Sequence, residues 1–336
     1  MIRARGPGRV NLIGEHTDYN GGLALPFAID RGVTVTAEPA ARYTAHALDL
    51  GEHDEFERPA RATGWRAFVR GMVAELEADG YAVRPCRLTI EGDLERGSGL
   101  SSSAALSTAL ALALLAVAGE DEPEDRRELA KLCSRVENDH VGAETGLLDQ
   151  LAALYGEPGH AVRIDFTTLD LRPVPLDLGE WTLVTLDSGA AHSHADSGYN
   201  ARRRECREAC DALGIATLRE ASEADVDRLP APLDRRVRHA LTENARVDAM
   251  VEALGAGDLH AAGRLLDASH ASLRDDYDAS VPAVERTVER LQAAGAAGAR
   301  MVGGGFGGAV LALLPPGLGV PDGALAVAPG RPAELL

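Results

Sequence analysis

The sequence predicts an α+β protein of two domains. Its 336 residues suit one large or two moderate domains. Helical and strand patterns are mixed in both halves, and the texture changes near residues 170–180, beyond which long polar helices take over. The 45% hydrophobic and 26% charged residues describe a globular chain with ample apolar material for a core.

Each element has a local reason. Thr34-Val35-Thr36-Ala37 and Arg87-Leu88-Thr89-Ile90 read as strands bounded by Pro and Gly. Residues 65–78 repeat apolar groups at helical spacing and stop before Gly80. Residues 103–118 form a long apolar helix, Pro123 opens a helix over 124–138, and 146–154 is a further helix. Strands follow at 160–164 and 181–186, with Pro173 and Pro175 between them. Polar helices cover 201–213, 233–254 and 281–293, and a Gly-rich loop at 303–308 leads into an apolar strand at 309–314. The expected division is 1–175 and 176–336, with no tandem repeat.

Composition excludes several functions. The net charge of −18 leaves no basic surface to release counterions from nucleic acid or to dock on anionic membranes. Residues 104–118, interrupted by Ser107 and Thr108, fall short of the ~20 residues of a membrane span. Residues 1–8 hold no apolar signal region. Lys131 is the only lysine and lies in no Gly-rich loop, so a lysine-dependent P-loop is excluded. Cys86, Cys133, Cys206 and Cys210 form no C-x-x-C pair; Cys206 and Cys210 share a helix face without further zinc ligands nearby. A reducing cytoplasm is the expected setting.

Two glycine-rich loops differ in meaning. Gly97-Ser98-Gly99-Leu100-Ser101-Ser102-Ser103 opens the long apolar helix. Glycines admit an anion, the helix N-terminus offers free N–H groups, and the serines add donors, so the stretch suits a phosphate without lysine. A plain serine N-cap on a core helix is the alternative. Gly303-Gly304-Gly305-Phe306-Gly307-Gly308 matches G-x-G-x-x-G by letter, but its order of helix, loop, strand argues against a dinucleotide fold. It is either a tight turn or a loop close to another backbone or a ligand.

The stretch from Gly8 to Gly22 sets Glu15, His16, Asp18 and Asn20 in a short Gly-bounded loop after an apolar run. Carboxylates, an imidazole and an amide together suit a polyhydroxyl ligand. A solvated loop is the bland alternative, and the spacing matches no zinc pattern.

These motifs together resemble a known family. Gly8-Arg9-Val10-Asn11-Leu12-Ile13-Gly14-Glu15-His16-Thr17-Asp18-Tyr19-Asn20-Gly21-Gly22 closely resembles the galactokinase signature. The serine-rich loop resembles the ATP-phosphate motif of the GHMP kinase superfamily, and Met301-Val302 with the following glycines resembles its third motif. Between them run Glu137-Asn138, Gly146-Leu147-Leu148-Asp149-Gln150, Tyr199-Asn200 with Arg202 and Arg203, Leu241-Thr242-Glu243-Asn244, Ser269-His270, and Leu273-Arg274-Asp275-Asp276, in family order.

The resemblance implies a two-domain fold: an N-terminal ribosomal-protein-S5-like α/β domain and a C-terminal ferredoxin-like α+β domain. It implies ATP-dependent phosphorylation of galactose at its C1 hydroxyl, with Asp149 as base and Arg9 beside it, favouring its ionised form and stabilising transferring charge. Glu15, His16, Thr17, Asp18 and Tyr199 would contact the sugar. Gly97, Ser98, Gly99, Leu100, Ser101, Ser102 and Ser103 would hold ATP, and Ser103 with Glu137 would hold Mg2+. Taken singly, Glu137 also reads as a helix-surface carboxylate, Arg9 as a structural partner of Asp18, and Tyr199 as core. A cytoplasmic monomer that binds neither nucleic acid nor membrane is expected. Gly6-Pro7-Gly8-Arg9 stands where the family commonly has Ala-Pro-Gly-Arg, and Ala143-Glu144-Thr145 replaces a more apolar triplet. The chain starts a few residues ahead of the first motif and its C-terminus is short, which is expected to touch stability more than chemistry. The rival functions are a kinase for a related sugar such as N-acetylgalactosamine, and a non-catalytic sensor of galactose and ATP. The intact serine motif, Asp149 and Arg9 favour the enzyme.

Overall fold

The computed structural model describes residues 1–94, 99–190 and 195–336. The chain runs through β1 (Ile2–Asn11), β2 (Leu23–Ala24), β3 (Pro26–Pro39), β4 (Tyr43–Ala47), β5 (Glu52–Phe56), α1 (Trp65–Ala78), β6 (Cys86–Gly92) and α2 (Ser102–Ala118). Next come α3 (Arg126–Arg135), a π-helical turn (Val136–Val141), α4 (Leu148–Tyr155), β7 (His160–Asp165) and β8 (Asp170–Pro175). The second half holds β9 (Thr182–Asp187), α5 (Ala195–Leu213), the short α6 (Glu223–Val226), α7 (Leu233–Gly255), α8 (Leu259–Asp275) and α9 (Pro282–Ala293). It closes with β10 (Gly298–Met301), β11 (Ala309–Leu314), β12 (Leu325–Val327) and β13 (Glu334–Leu335).

Three sheets result: β13-β1-β3-β6-β4-β5, β10-β11-β9-β12 and β2-β7-β8. Among the described residues only β4 and β6 pair in parallel; the other ladders are antiparallel. In β3, Val33, Val35 and Ala37 turn inward at period two, while Thr36 and Glu38 turn outward. The apolar α2 is buried nearly all round, because β1 and β3 cover one side and α1, α3 and α4 the other. A second core joins the halves: Val10, Ile13 and Phe27 pack with Met250, Leu266 and Leu311. The last strand returns to the first sheet, with Ala4 opposite Leu335. Among the described residues no helix is long and apolar enough to cross a membrane.

Two expectations need correction. The glycines at 303–308 connect β10 to β11, so the order is strand, loop, strand. β10 is only four residues long, and all four are buried, which left no alternating pattern to read. The helix expected over 124–138 ends at Arg135 and rewinds into the π-helical turn, which Gly142 terminates at φ +88°.

The path of β1 sets up the site. Its register against β3 breaks between Pro7 and Arg9, where residues 29–31 of β3 face Gly8 alone. Gly6 and Gly8 then let the strand lie against the first turns of α2. A Cβ on Gly6 would sit 2.0 Å from the Ala105 carbonyl oxygen, and one on Gly8 2.7 Å from that of Leu100. Gly6→Ala should therefore destabilise the fold by about 1–3 kcal/mol, the usual cost of overpacking. Gly255→Ala, on a helical residue with open space around it, should be neutral or stabilise by up to about 1 kcal/mol. Urea unfolding of both variants checks the contrast; equal stability would mean that α2 yields freely to β1.

Candidate active site

The end of β1, the N-termini of α2 and α4, the π-helical turn and the β10–β11 loop converge on one cavity of ≈ 330 Å³. At its centre Arg9 grips Asp149. Nε donates to Oδ1 at 2.6 Å and Nη2 to Oδ2 at 2.8 Å, a bidentate pair. Arg9 Nη1 donates to the Gly99 carbonyl at 2.6 Å, and its backbone N–H to that of Leu100 at 3.1 Å. Asp149 lies in the first turn of α4, where the helix dipole favours a carboxylate. The structural pairing of Arg9 with Asp18 is not formed.

The serine-rich turn does not cap its helix. Ser101 takes a left-handed conformation (φ 60°, ψ 55°) and makes no side-chain cap bond. Its hydroxyl instead donates to Asp149 Oδ2 at 2.6 Å. The free N–H groups at the start of α2 therefore stay open to an anion. Gly99, Leu100, Ser101, Ser102 and Ser103 line the cavity; Gly97 and Ser98 lie outside the described residues.

Glu137 sits on the π-helical turn, a distortion common at functional sites. It is buried, not a surface carboxylate. Its Oε2 accepts from Gln150 Nε2 at 2.7 Å and from the Thr145 hydroxyl at 3.3 Å, and Ser103 also hydrogen-bonds it. Burial, and then the charge of Asp149, push its carboxyl above the ordinary range. A buried carboxylate and a hydroxyl beside a cavity fit a hard divalent cation that draws further ligands from phosphate and water. Among the described residues no group of three or more His, Cys, Asp or Glu could hold a metal by itself.

The loop after β1 is held from the second half. Gly14 N–H donates to Glu243 at 3.0 Å, Leu23 N–H to Asn244 at 2.8 Å, and the Glu15 carbonyl lies 3.1 Å from His239 Nε2. Glu15 Oε1 accepts from Gly303 N–H at 2.8 Å and lies 3.1 Å from Arg300 Nη2. Arg300, fully buried, also donates through Nη1 to the carbonyls of Asn11 and Leu12, both at 2.9 Å.

Glu15, His16, Asp18 and Tyr199 all line the cavity. Thr17 does not: its hydroxyl is directed at the Gly14 and Leu23 carbonyls, at 2.8 and 2.7 Å, and shapes the loop from within. Burial first, and then neighbouring charges such as His239, lower the His16 pKa to about 3. Burial first, then Asp149 and Glu15, raise Asp18 to about 6. Gly146 makes room for that carboxylate, since a Cβ there would stand 2.0 Å from Asp18 Oδ2. The Tyr199 ring packs on Gly304, where a Cβ would be 2.8 Å away; it is a cavity wall, not core.

Sequence reasoning gave no role to Arg300, His239 or Gln150. Gln150, Glu243 and Asn244 stood only within quoted motifs. It also missed a second, apolar cavity of ≈ 490 Å³, walled by Trp65, Phe68 and Leu106, that meets the first at Ser102 and Ser103. Its walls come from β3, β4, β6, α1 and α2 and carry no local signature.

Comparison with known proteins agrees with this geometry. Residues 2–39 match the galactokinase galactose-binding signature, 67–157 the GHMP kinases N terminal domain, and 250–319 the GHMP kinases C terminal domain. The galactokinase of Thermotoga neapolitana is 40% identical over 313 residues, covering 93% of this chain and 89% of that protein. That of Mycobacterium tuberculosis (strain ATCC 25177 / H37Ra) is 46% identical over 320 residues, covering 92% and 88%. A crystal structure of Lactococcus lactis galactokinase complexed with galactose superposes with a TM-score of 0.93 at 33% identity, covering 100% of this chain and 95% of that one. The mevalonate kinase of Methanococcus jannaschii shares the fold, with a TM-score of 0.66 at 15% identity over 98% of each chain. By its signature, its relatives and its fold, the chain belongs to the galactokinase family of GHMP kinases.

Proposed function

We propose that this chain transfers the γ-phosphoryl group of ATP to the C1 hydroxyl of galactose, giving galactose 1-phosphate and ADP. One observation carries the reading: Glu15, His16 and Asp18 share a cavity with the Arg9–Asp149 pair and the open N-terminus of α2. Groups suited to a polyhydroxyl acceptor, a proton acceptor and a phosphate cradle thus line a single volume. The galactose bound by the Lactococcus relative supports the choice of sugar.

In this reading Asp149 accepts the C1 proton. A carboxylate offers about four acceptor directions. Arg9 fills two and Ser101 one, which leaves room for the substrate hydroxyl. Glu15, His16, Asp18 and Tyr199 orient the sugar, while Thr17 fixes the loop. Phosphoryl transfer is mainly a matter of position and charge. The α2 amides and the serines receive the phosphates, and Arg9 offsets charge that develops on the transferred group. Ser103 and Glu137 would hold magnesium, which when bound neutralises phosphate charge. The nucleoside is assigned to the apolar cavity of Trp65 and Phe68.

The division at 175/176 is supported by β8 and β9 lying in different sheets, although β13 rejoins the first. A reducing cytoplasm remains the proposed setting, supported by four cysteines without a disulfide, and a monomer is the proposed state.

ADP release measured over a sugar panel tests the function. Turnover with galactose and a kcat/KM at least about tenfold above that for glucose are expected. Equal values, or no turnover of either sugar, would refute the reading.

The raised Asp18 pKa has a stability consequence. The folded protein binds more protons than the unfolded chain between the ordinary carboxylate value of 3.8 and about 6. Stability contributed by the Asp18 proton is therefore present below pH 3.8 and lost as pH climbs through about 6. Asp18→Asn should stabilise the ligand-free protein by about 1–3 kcal/mol more at pH 7.5 than near pH 4. Thermal unfolding at the two pH values measures this; the same shift at both would contradict the account.

A further inference from the structure

His16 enters the cavity backed by a chain of hydroxyls. Its Nδ1 lies 2.8 Å from the Tyr19 hydroxyl, which lies 2.8 Å from that of Tyr277, which lies 3.1 Å from Cys206 Sγ. Asn20 closes the far end, its Nδ2 donating to Cys206 Sγ at 3.6 Å and to the His16 carbonyl at 2.7 Å. The ring is also pinned. Tyr277 and Tyr199 lie at centroid distances of 4.6 and 5.3 Å, and Tyr19 meets it edge-on at 5.9 Å. His16 lines the cavity, and its Nε2 is buried without a hydrogen-bond partner.

We propose that Tyr19 and Tyr277, anchored at Cys206, act as positioning residues that set the tautomer of His16, keeping its proton on Nε2 and presenting a hydrogen-bond donor to the cavity.

The chain can run in two directions. In one, the thiol donates to Tyr277, Tyr277 to Tyr19, and Tyr19 to Nδ1, so the thiol and both hydroxyl hydrogens find acceptors and Nε2 keeps the ring proton. In the other, Nδ1–H donates outward and sulfur receives both Tyr277 and Asn20, leaving the thiol hydrogen without an acceptor in the chain. Sulfur is a weak acceptor and imidazole nitrogen a strong one, so the order that ends on nitrogen is favoured. The Gly304 backbone facing His16 acts in the same direction, because its carbonyl favours N–H over a bare nitrogen. Burial keeps the ring neutral, so a single proton has to be assigned. The Gly304 carbonyl faces the ring without meeting hydrogen-bond geometry at Nε2, so the result is a buried N–H that a ligand oxygen would complete.

The tautomer assignment stands on the ligand-free protein; only its effect on sugar binding rests on the galactose reading. The test is 15N-histidine NMR of the folded, ligand-free chain, with His16 assigned by the signals lost in His16→Gln. The wild type should show Nε2 protonated and Nδ1 unprotonated. Tyr19→Phe and Tyr277→Phe remove one hydroxyl each; the Nδ1 resonance should shift strongly in the first and less in the second. Galactose KM should rise about two- to tenfold in Tyr19→Phe, with kcat and the ATP KM nearly unchanged. A wild-type ring protonated on Nδ1, or an Nδ1 resonance indifferent to Tyr19→Phe, would overturn the proposal. The expected NMR pattern in a wild type that does not turn over galactose would uphold the tautomer and refute the substrate reading instead.

Discussion

The contact between Arg9 and Asp149 is the constraint on which the rest of the site depends. The two residues are 140 positions apart, yet both guanidinium-to-carboxylate bonds form, at 2.6 and 2.8 Å. Their meeting requires β1 to run against the first turns of α2, which only side-chain-free positions such as Gly6 and Gly8 allow. It also requires Ser101 to leave its capping duty and bind Asp149. One ion pair thus ties a strand, a helix N-terminus and the start of α4 together, and the same adjustment frees the α2 amides for an anion.

The second half of the chain supplies the opposing wall. His239, Glu243 and Asn244 sit on α7 at positions that share a face, and all three hold the backbone of the loop after β1. Arg300 adds a buried cation beside Glu15. Five carboxylate residues, Glu15, Asp18, Glu137, Glu144 and Asp149, then line one cavity. Arg9 pairs with Asp149, Arg300 attends Glu15, and Arg203 and Arg207 stand beside Glu144, while burial first and then the charge of Asp149 push the carboxyls of Asp18 and Glu137 upward. A site in that condition favours ligands that bring hydroxyl donors or a cation.

Much of this was legible from local pattern. Residues 65–78 form the helix that their spacing suggests, and 309–314 the strand that their apolar run suggests, because their neighbours cover one face of the first and both of the second. β1 was not read from local pattern, since Gly6, Pro7 and Gly8 interrupt its apolar residues while the strand persists through them. Only 34–37 of β3 was visible, because Pro26 and Gly32 interrupt its 14 residues. The helix over 259–275 also went unread, although His270 within it belongs to the family pattern. Motif order brought Arg9, Glu15, His16, Asp18, Glu137, Asp149 and Tyr199 to one cavity. It could not tell that Thr17 turns away, since that depends on which carbonyls fold back over the loop. Nor could it find the groups that act from a distance. Arg300 is an ordinary polar residue in sequence and Gln150 only the neighbour of Asp149 in the family motif; what each does is visible only in what it touches.

The central claim is that Arg9 and Asp149 act as one unit. A double-mutant cycle in kcat/KM for galactose, using Arg9→Ala, Asp149→Asn and the double variant in folded protein, tests it most directly. If the pair is one unit, losing either member forfeits most of what both supply, and the double variant should lie within about threefold of the worse single one. Losses that multiply, so that the double variant falls by the product of the two single effects, would show independent roles and contradict the account.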